Sequence, residues 1–162
     1  MSGQAGPPRS ADEQTRLEQA LVRMFENDIS FNKLLGIRIE SVRHGDVRAR
    51  FDMRPELVGH YTYGRLHGGV ISAVLDALGG LSLMVAIADR HPADTALLVM
   101  MRFSRMGTLD LRIDYLRQGL GKHFVATAEV LRLGGRIGST QMRMFNDEGA
   151  LIATGAAAYV VS

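Results

Sequence analysis

The chain has 162 residues and a formal net charge of +2, with both signs interspersed. This length suits one domain with a core of its own. The charge pattern lacks the basic stripe with interleaved aromatics of a nucleic-acid protein, and six Phe, four Tyr and no Trp leave little to stack on bases. With no cysteine, there is no disulfide, thiolate nucleophile or thiolate metal site.

Residues 1–9 contain Gly and Pro without an apolar h-region, so they read as a disordered tail rather than a secretory signal, and a cytoplasmic location is expected. Ser10-Ala11-Asp12-Glu13 has the capping-box pattern. Leu17, Ala20, Leu21, Met24 and Phe25 follow at 3-4 spacing, which predicts an amphipathic helix over residues 10–30. A short helical turn near Phe31–Leu35 is expected to end at Gly36. Ile37–Arg43 and Val47–Met53 read as strands joined by a turn at His44-Gly45-Asp46. Pro55–Leu66 reads as a loop.

Residues 66–88 form the longest apolar run, opened by His67-Gly68-Gly69 and holding one carboxylate, Asp76. Apolar residues crowd every face, the pattern of a helix buried all round. The rival reading is a membrane span, which about 20 apolar residues can make. A mid-bilayer Asp costs about 2.5–3.5 kcal/mol on the insertion scale, and Gly79-Gly80 weakens the helix further, so a core helix is expected and no membrane span. Residues 94–105 fit either a short helix or a strand, with helix the favoured reading. From Gly107 the period switches to two: Leu109, Leu111, Ile113 and Tyr115 alternate with Asp110, Arg112 and Asp114. Strands Phe124–Leu133, Arg136–Phe145 and Ala150–Val161 are separated by a two-residue hairpin at Gly134-Gly135 and a turn at Asn146–Gly149. The order predicts an α+β domain over residues 31–162, with an antiparallel sheet around one buried helix.

Two features could carry chemistry. At Gly68 and Gly69 a helix start presents free backbone N–H groups that can hold a developing oxyanion; the alternative is a tight loop-to-helix turn and nothing more. Asp76 among Val74, Leu75, Ala77 and Leu78 must be paired, hydrogen-bonded or functional, the functional roles being general base or nucleophile. Eight residues at 1.5 Å each put Gly68 and Asp76 about 12 Å apart on one helix. Either Gly68 lies on a folded-back loop before the helix, or the site joins two chains of a two-fold dimer. His44, His91 and His123 sit at turns, and His60 and His67 lack a metal-ligand spacing, so no metal is expected. Gly119-Leu120-Gly121-Lys122 reads as a turn, not a phosphate loop.

Gly64-Arg65-Leu66-His67-Gly68-Gly69, with Asp76 nine residues after His67, resembles the hotdog-fold acyl-CoA thioesterases of the PaaI-like (4-hydroxybenzoyl-CoA thioesterase-like) family. Thr108–Arg117 is similar to that family's next strand, and the likeness spans residues 34–161. The resemblance implies a hotdog fold, homodimers that could pair further into tetramers, and an active site at the dimer interface. It implies Asp76 as base or nucleophile, Gly68 with Gly69 polarising the thioester carbonyl, His67 supporting the helix start and Thr108 holding the attacking water. Members usually carry an Asn before the position of Gly64. Here no Asn occurs between residues 33 and 145, and His60 or Tyr61 takes its place, His60 being a possible donor. Strict alternation puts Thr108 on the polar face, so it reaches the site only through a bulge near Gly107.

Arg136, beside the expected hairpin, and Arg117 are candidates to meet coenzyme A phosphates. Coenzyme A enters as part of the substrate, and no separate cofactor is implied. The first functional hypothesis is an acyl-CoA thioesterase. The second is a non-catalytic hotdog protein that binds acyl groups. A dehydratase on the same fold ranks third, because it would want a His and an acidic residue set for β-hydroxyacyl chemistry. Met84, Met100 and Met101 could line an apolar tunnel for the acyl chain, with core filling as the alternative.

Overall fold

A computed structural model describes residues 7–162. Helix α1 (Ala11–Arg23) continues into a π-helical turn at Met24–Asp28, and α2 (Ser30–Leu35) ends at Gly36, whose φ of 73° glycine adopts freely. Strands β1 (Arg38–Arg43) and β2 (Asp46–Asp52) form a hairpin. A short ribbon follows, of β3 (Val58–His60) and β4 (Arg65–Leu66), and then helix α3 (Gly68–Arg90). Helix α4 (Ala96–Arg102) leads to β5 (Gly107–Tyr115), β6 (His123–Leu133), β7 (Ile137–Asn146) and β8 (Leu151–Val160).

The long strands make one antiparallel sheet in the order β1-β2-β6-β7-β8-β5. Helix α3 contacts all six. A flat sheet could not reach one helix with six strands, each about 4.8 Å from the next, so the sheet curls around it. This is the hotdog arrangement the sequence predicted. Leu75, Leu78, Leu81 and Leu83 of α3 fill the core against Phe51, Phe124, Met142, Met144 and Ile152. The Phe51 and Phe124 rings stack with centroids 5.3 Å apart.

Gly79 sets how closely helix and sheet approach. A Cβ there would collide with the Tyr159 hydroxyl of β8 and lie 2.9 Å from Thr140 Oγ1 and 3.1 Å from Met142 Sδ of β7. The apolar run is therefore a core helix, although its length and composition would allow a membrane span.

Several expectations need correction. Helix α3 is not buried all round: Ser72, Ala73, Asp76, Ala77, Gly80 and Met84 form a stripe at 3-4 spacing that this chain covers only in part. Arg9, expected in a disordered tail, is anchored. Its guanidinium donates to the carbonyls of Ala88, His91 and Asp94 at 2.9–3.0 Å. Residues 1–6 of that tail lie outside the described residues. Only half of the capping box forms. Ser10 accepts from Glu13 N–H, while the Glu13 carboxylate accepts from Ala96 N–H at the start of α4. Leu133 pairs with Gly138, and Gly134 N–H donates to Ile137 O, so the two turn residues are Gly135 and Arg136, one place later than expected. The register slip at Leu131 accompanies that shift.

Gly79→Ala should destabilise the fold by about 1–3 kcal/mol, the usual cost of overpacking. Urea unfolding would read this as a lower midpoint at unchanged slope, whereas Gly135→Ala, with open space around it, should shift the midpoint far less.

Candidate active site

Asp76 lies in the partly covered stripe of α3. Its Oδ1 accepts a 2.9 Å hydrogen bond from the Thr108 hydroxyl. The bulge that Thr108 required is present. Register slips between Thr108 and Asp110, where Leu109 is the extra residue of β5. The slip turns Thr108 toward α3 and leaves Leu109, expected on the buried face, 58% exposed. Because Thr108 donates to the carboxylate, it orients Asp76, and its lone pairs stay free to accept from a water.

Beneath Asp76, the buried Tyr159 hydroxyl donates to the Asp76 carbonyl at 2.8 Å. Burial first, and the Asp76 charge second, push that phenol well above its ordinary range, so it stays protonated. A cavity of about 340 Å³ opens at this point, lined by Asp76, Thr108 and Tyr159 and, on its apolar side, by Phe25, Phe31, Met84 and Met106. Phe25 and Phe31 belong to the N-terminal segment. Of the three methionines considered for the acyl chain, only Met84 lines this cavity. Met100 is packed half-buried against the core, and Met101 is 62% exposed elsewhere.

The glycine pair divides its roles. His67 is the N-cap of α3, and its Nδ1 accepts from Gly69 N–H at 2.8 Å, which requires the neutral ring with its proton on Nε2. Gly69, expected to help polarise a carbonyl, therefore has its donor occupied. The Gly68 N–H has no hydrogen-bond partner among the described residues and remains available. The Tyr115 hydroxyl donates to Gly68 O at 3.0 Å and its ring packs over Gly68. A second cavity, of about 350 Å³, is lined by Gly68, His67, His60, Arg65, Tyr115 and Arg117. His60 is exposed there, its ring 4.9 Å from that of Tyr63.

Gly68 is the first residue of a continuous α3, so it is on no folded-back loop. Asp76 stands about 12 Å further along the axis and faces the other cavity. One chain thus brings together Asp76 with Thr108, and Gly68 with His67, His60 and Arg117, but not the two groups with each other. Arg117 also donates to Leu151 O at 2.8 Å. Arg136 joins neither group. It sits in the β6–β7 turn at the far end of α3, where Arg90 donates to the Gly134 carbonyl. Among the described residues no cluster of His, Cys, Asp or Glu could hold a metal ion. Sequence reasoning missed Tyr159 and Tyr115. Two aromatics in strands carry no spacing signal.

Residues 63–153 match the thioesterase superfamily. The chain is 37% identical, over 89% of its length and 95% of the relative's, to the medium/long-chain acyl-CoA thioesterase YigI of Salmonella typhimurium. The chain belongs to the thioesterase superfamily. YigI of Escherichia coli strain K12 shows the same identity and coverage. A Shewanella oneidensis structure related to the thioesterase superfamily superposes on this thioesterase with a TM-score of 0.86 at 32% identity, over 94% of this chain and 99% of that one. The Escherichia coli PaaI protein from the phenylacetic acid degradation operon shares the fold, with a TM-score of 0.71 at 20% identity over 93% and 96% of the two chains.

Thr108→Val keeps the shape of the side chain and removes the donor to Asp76. A hydrogen bond to a charged group is worth about 1.5–3 kcal/mol, so kcat of the thioesterase should fall at least roughly tenfold with KM little changed. Steady-state kinetics would check this, and Thr108→Ser should restore most of the rate.

Proposed function

We propose that this thioesterase hydrolyses acyl-coenzyme A with a medium or long acyl chain, giving a carboxylic acid and free coenzyme A, and that two protomers of a homodimer share each active site. What carries the reading is the division described above: an oriented carboxylate and a free helix-start N–H on one straight helix, open to different cavities. A two-fold axis that antiparallels two copies of α3 would bring Gly68 of each chain to Asp76 of the other. It would also cover the half-exposed stripe around Asp76.

In this site the Gly68 N–H holds the thioester carbonyl and stabilises the oxyanion as it forms, with His60 as a second donor. Asp76 of the other chain takes a proton from the attacking water, or attacks the carbonyl itself to give an anhydride that water opens. Collapse of the tetrahedral intermediate expels the coenzyme A thiolate, which takes up a proton. The acyl chain lies along Phe25, Phe31, Met84 and Met106. Arg117 is close enough to Gly68 to meet the coenzyme A side, whereas Arg136 is too remote for that part.

Asp76→Asn should abolish turnover of an acyl-CoA panel while circular dichroism and dimer mass stay unchanged. Acyl-CoA binding without turnover in the wild type would instead favour the non-catalytic binder. The shared site has its own test. Asp76→Ala removes the carboxylate, and Gly68→Pro removes the N–H that holds the carbonyl; each homodimer should be inactive. Co-expressed, heterodimers would concentrate both defects in one site and leave the other intact, giving about a quarter of wild-type activity with random pairing. A purified heterodimer, confirmed by light scattering, that recovers no activity would mean that each site is built from a single chain.

A further inference from the structure

Gly79 and Gly80 are neighbours in α3, yet packing against the sheet requires only the first. A Cβ at Gly79 would collide with the Tyr159 hydroxyl. A Cβ at Gly80 would meet one side-chain atom within 4 Å, Tyr159 Cε1 at 3.8 Å, which is ordinary van der Waals contact. The backbone does not need a glycine there either, since Gly80 is helical and its φ is not positive. Glycine inside a helix costs stability relative to alanine. Gly80 therefore carries a cost that neither the sheet nor the backbone explains.

A side chain at position 80 would enter the cavity that holds Asp76. Asp76, Gly80 and Met84 are spaced four residues apart, so they share one face of α3, and all three line that cavity. Of the α3 residues in its lining, only Ala73 precedes Asp76, whereas Ala77, Gly80 and Met84 follow it. The longer arm of the cavity thus runs from the carboxylate toward Met84, over about 12 Å of helix axis. With the thioester carbon at Asp76, that arm takes the acyl chain, and Gly80 lies halfway along it. The dimer contact does not account for the glycine. When Gly68 of one α3 faces Asp76 of the other, the antiparallel helices overlap only over residues 68–76. Gly80 is about 6 Å past that overlap, so close approach of the two helices does not depend on it.

We propose that Gly80 is a specificity-determining residue whose missing side chain keeps open the channel by which medium and long acyl chains pass Asp76. The inference rests on the acyl-CoA thioesterase reading and adds the residue that sets the acyl length accepted. The test uses Gly80→Leu and Gly80→Ala, with dimer mass checked by light scattering. It measures kcat/KM for dodecanoyl-CoA and for butanoyl-CoA. In Gly80→Leu the ratio of the first to the second should fall by roughly tenfold to two-hundredfold, the range for a methylene-sized change in an apolar pocket. Gly80→Ala should lie between Gly80→Leu and wild type. Gly80→Ala should also melt at a higher temperature than wild type, because alanine is the better helix former. A gain in stability together with a loss of long-chain preference is a result that a packing glycine would not give.

An unchanged ratio in Gly80→Leu would overturn the proposal. So would a Gly80→Ala variant that melts lower than wild type, or a Gly80→Leu variant that no longer dimerises, since either would make Gly80 a packing residue. If wild type hydrolyses neither thioester, the hydrolase reading alone fails. Calorimetry with the free acid then decides the role of Gly80: dodecanoate should bind wild type at least roughly tenfold more tightly than Gly80→Leu, and equal affinities would overturn the proposal.

Discussion

The close seat of α3 on the sheet governs this molecule. Gly79 lets the helix backbone approach β7 and β8, and at the same place the Tyr159 hydroxyl reaches up to the Asp76 carbonyl. A helix pressed this tightly against a curled sheet cannot rotate without driving Leu75 and Leu78 out of the core. Asp76 is therefore aimed by packing. The apolar side of α3 is held by the sheet, and the carboxylate is left on the stripe the sheet does not cover. Electrostatics follow from that arrangement: the Asp76 charge lies close enough to raise the Tyr159 phenol further, while Thr108 supplies the hydrogen bond that the carboxylate needs.

The two halves of the proposed site sit on parts of the fold with different mechanical character. The Gly68 half is made of polar groups at a helix start, where His67 takes up the Gly69 donor and leaves one N–H open. Satisfying one of two neighbouring donors confines an anion or a carbonyl to the other. The Asp76 half joins a rigid helix to an edge strand, and its apolar cavity is completed by α2 and the residues just before it. The N-terminal segment supplies Phe25, Ile29 and Phe31 to this cavity, while α3 and β5 supply Asp76 and Thr108, so on the proposed reading changes in that segment would alter the acyl group accepted while Asp76 keeps its orientation.

Much of this was legible in the sequence. The alternation in β2 and β5–β8 and the apolar run of α3 give the sheet and its core helix, because burial imposes periodicity. Asp76 stood out because a lone carboxylate in an apolar run has few explanations. Thr108 was legible conditionally: strict alternation turned it away from the site, and only a bulge, which composition does not announce, could turn it back. The division between Gly68 and Gly69 was hidden, since it depends on which way the His67 ring folds. Glu13 fitted a local motif, yet its carboxylate caps a helix more than eighty residues away; tertiary contacts outbid local ones without leaving a periodic trace.

The N-terminal segment buries Leu17, Leu21 and Phe25 in the core and is tied by polar contacts as well: Arg9 to the end of α3 and the loop after it, Glu13 to α4, and Glu26 to the Ile39 N–H of β1. Between these anchors it supplies Phe25, Ile29 and Phe31 to a cavity whose carboxylate, Asp76, lies far along the chain. Segments held in this way open more readily than central strands, as cooperative units of their own. An acyl chain lying between this segment and α3 binds the closed form better than the open one. By linkage it raises the free energy of local opening by as much as its differential affinity. Occupancy of the cavity and order in residues 7–35 are then two readings of one equilibrium, and amide exchange in α1 becomes a report on what the thioesterase has bound.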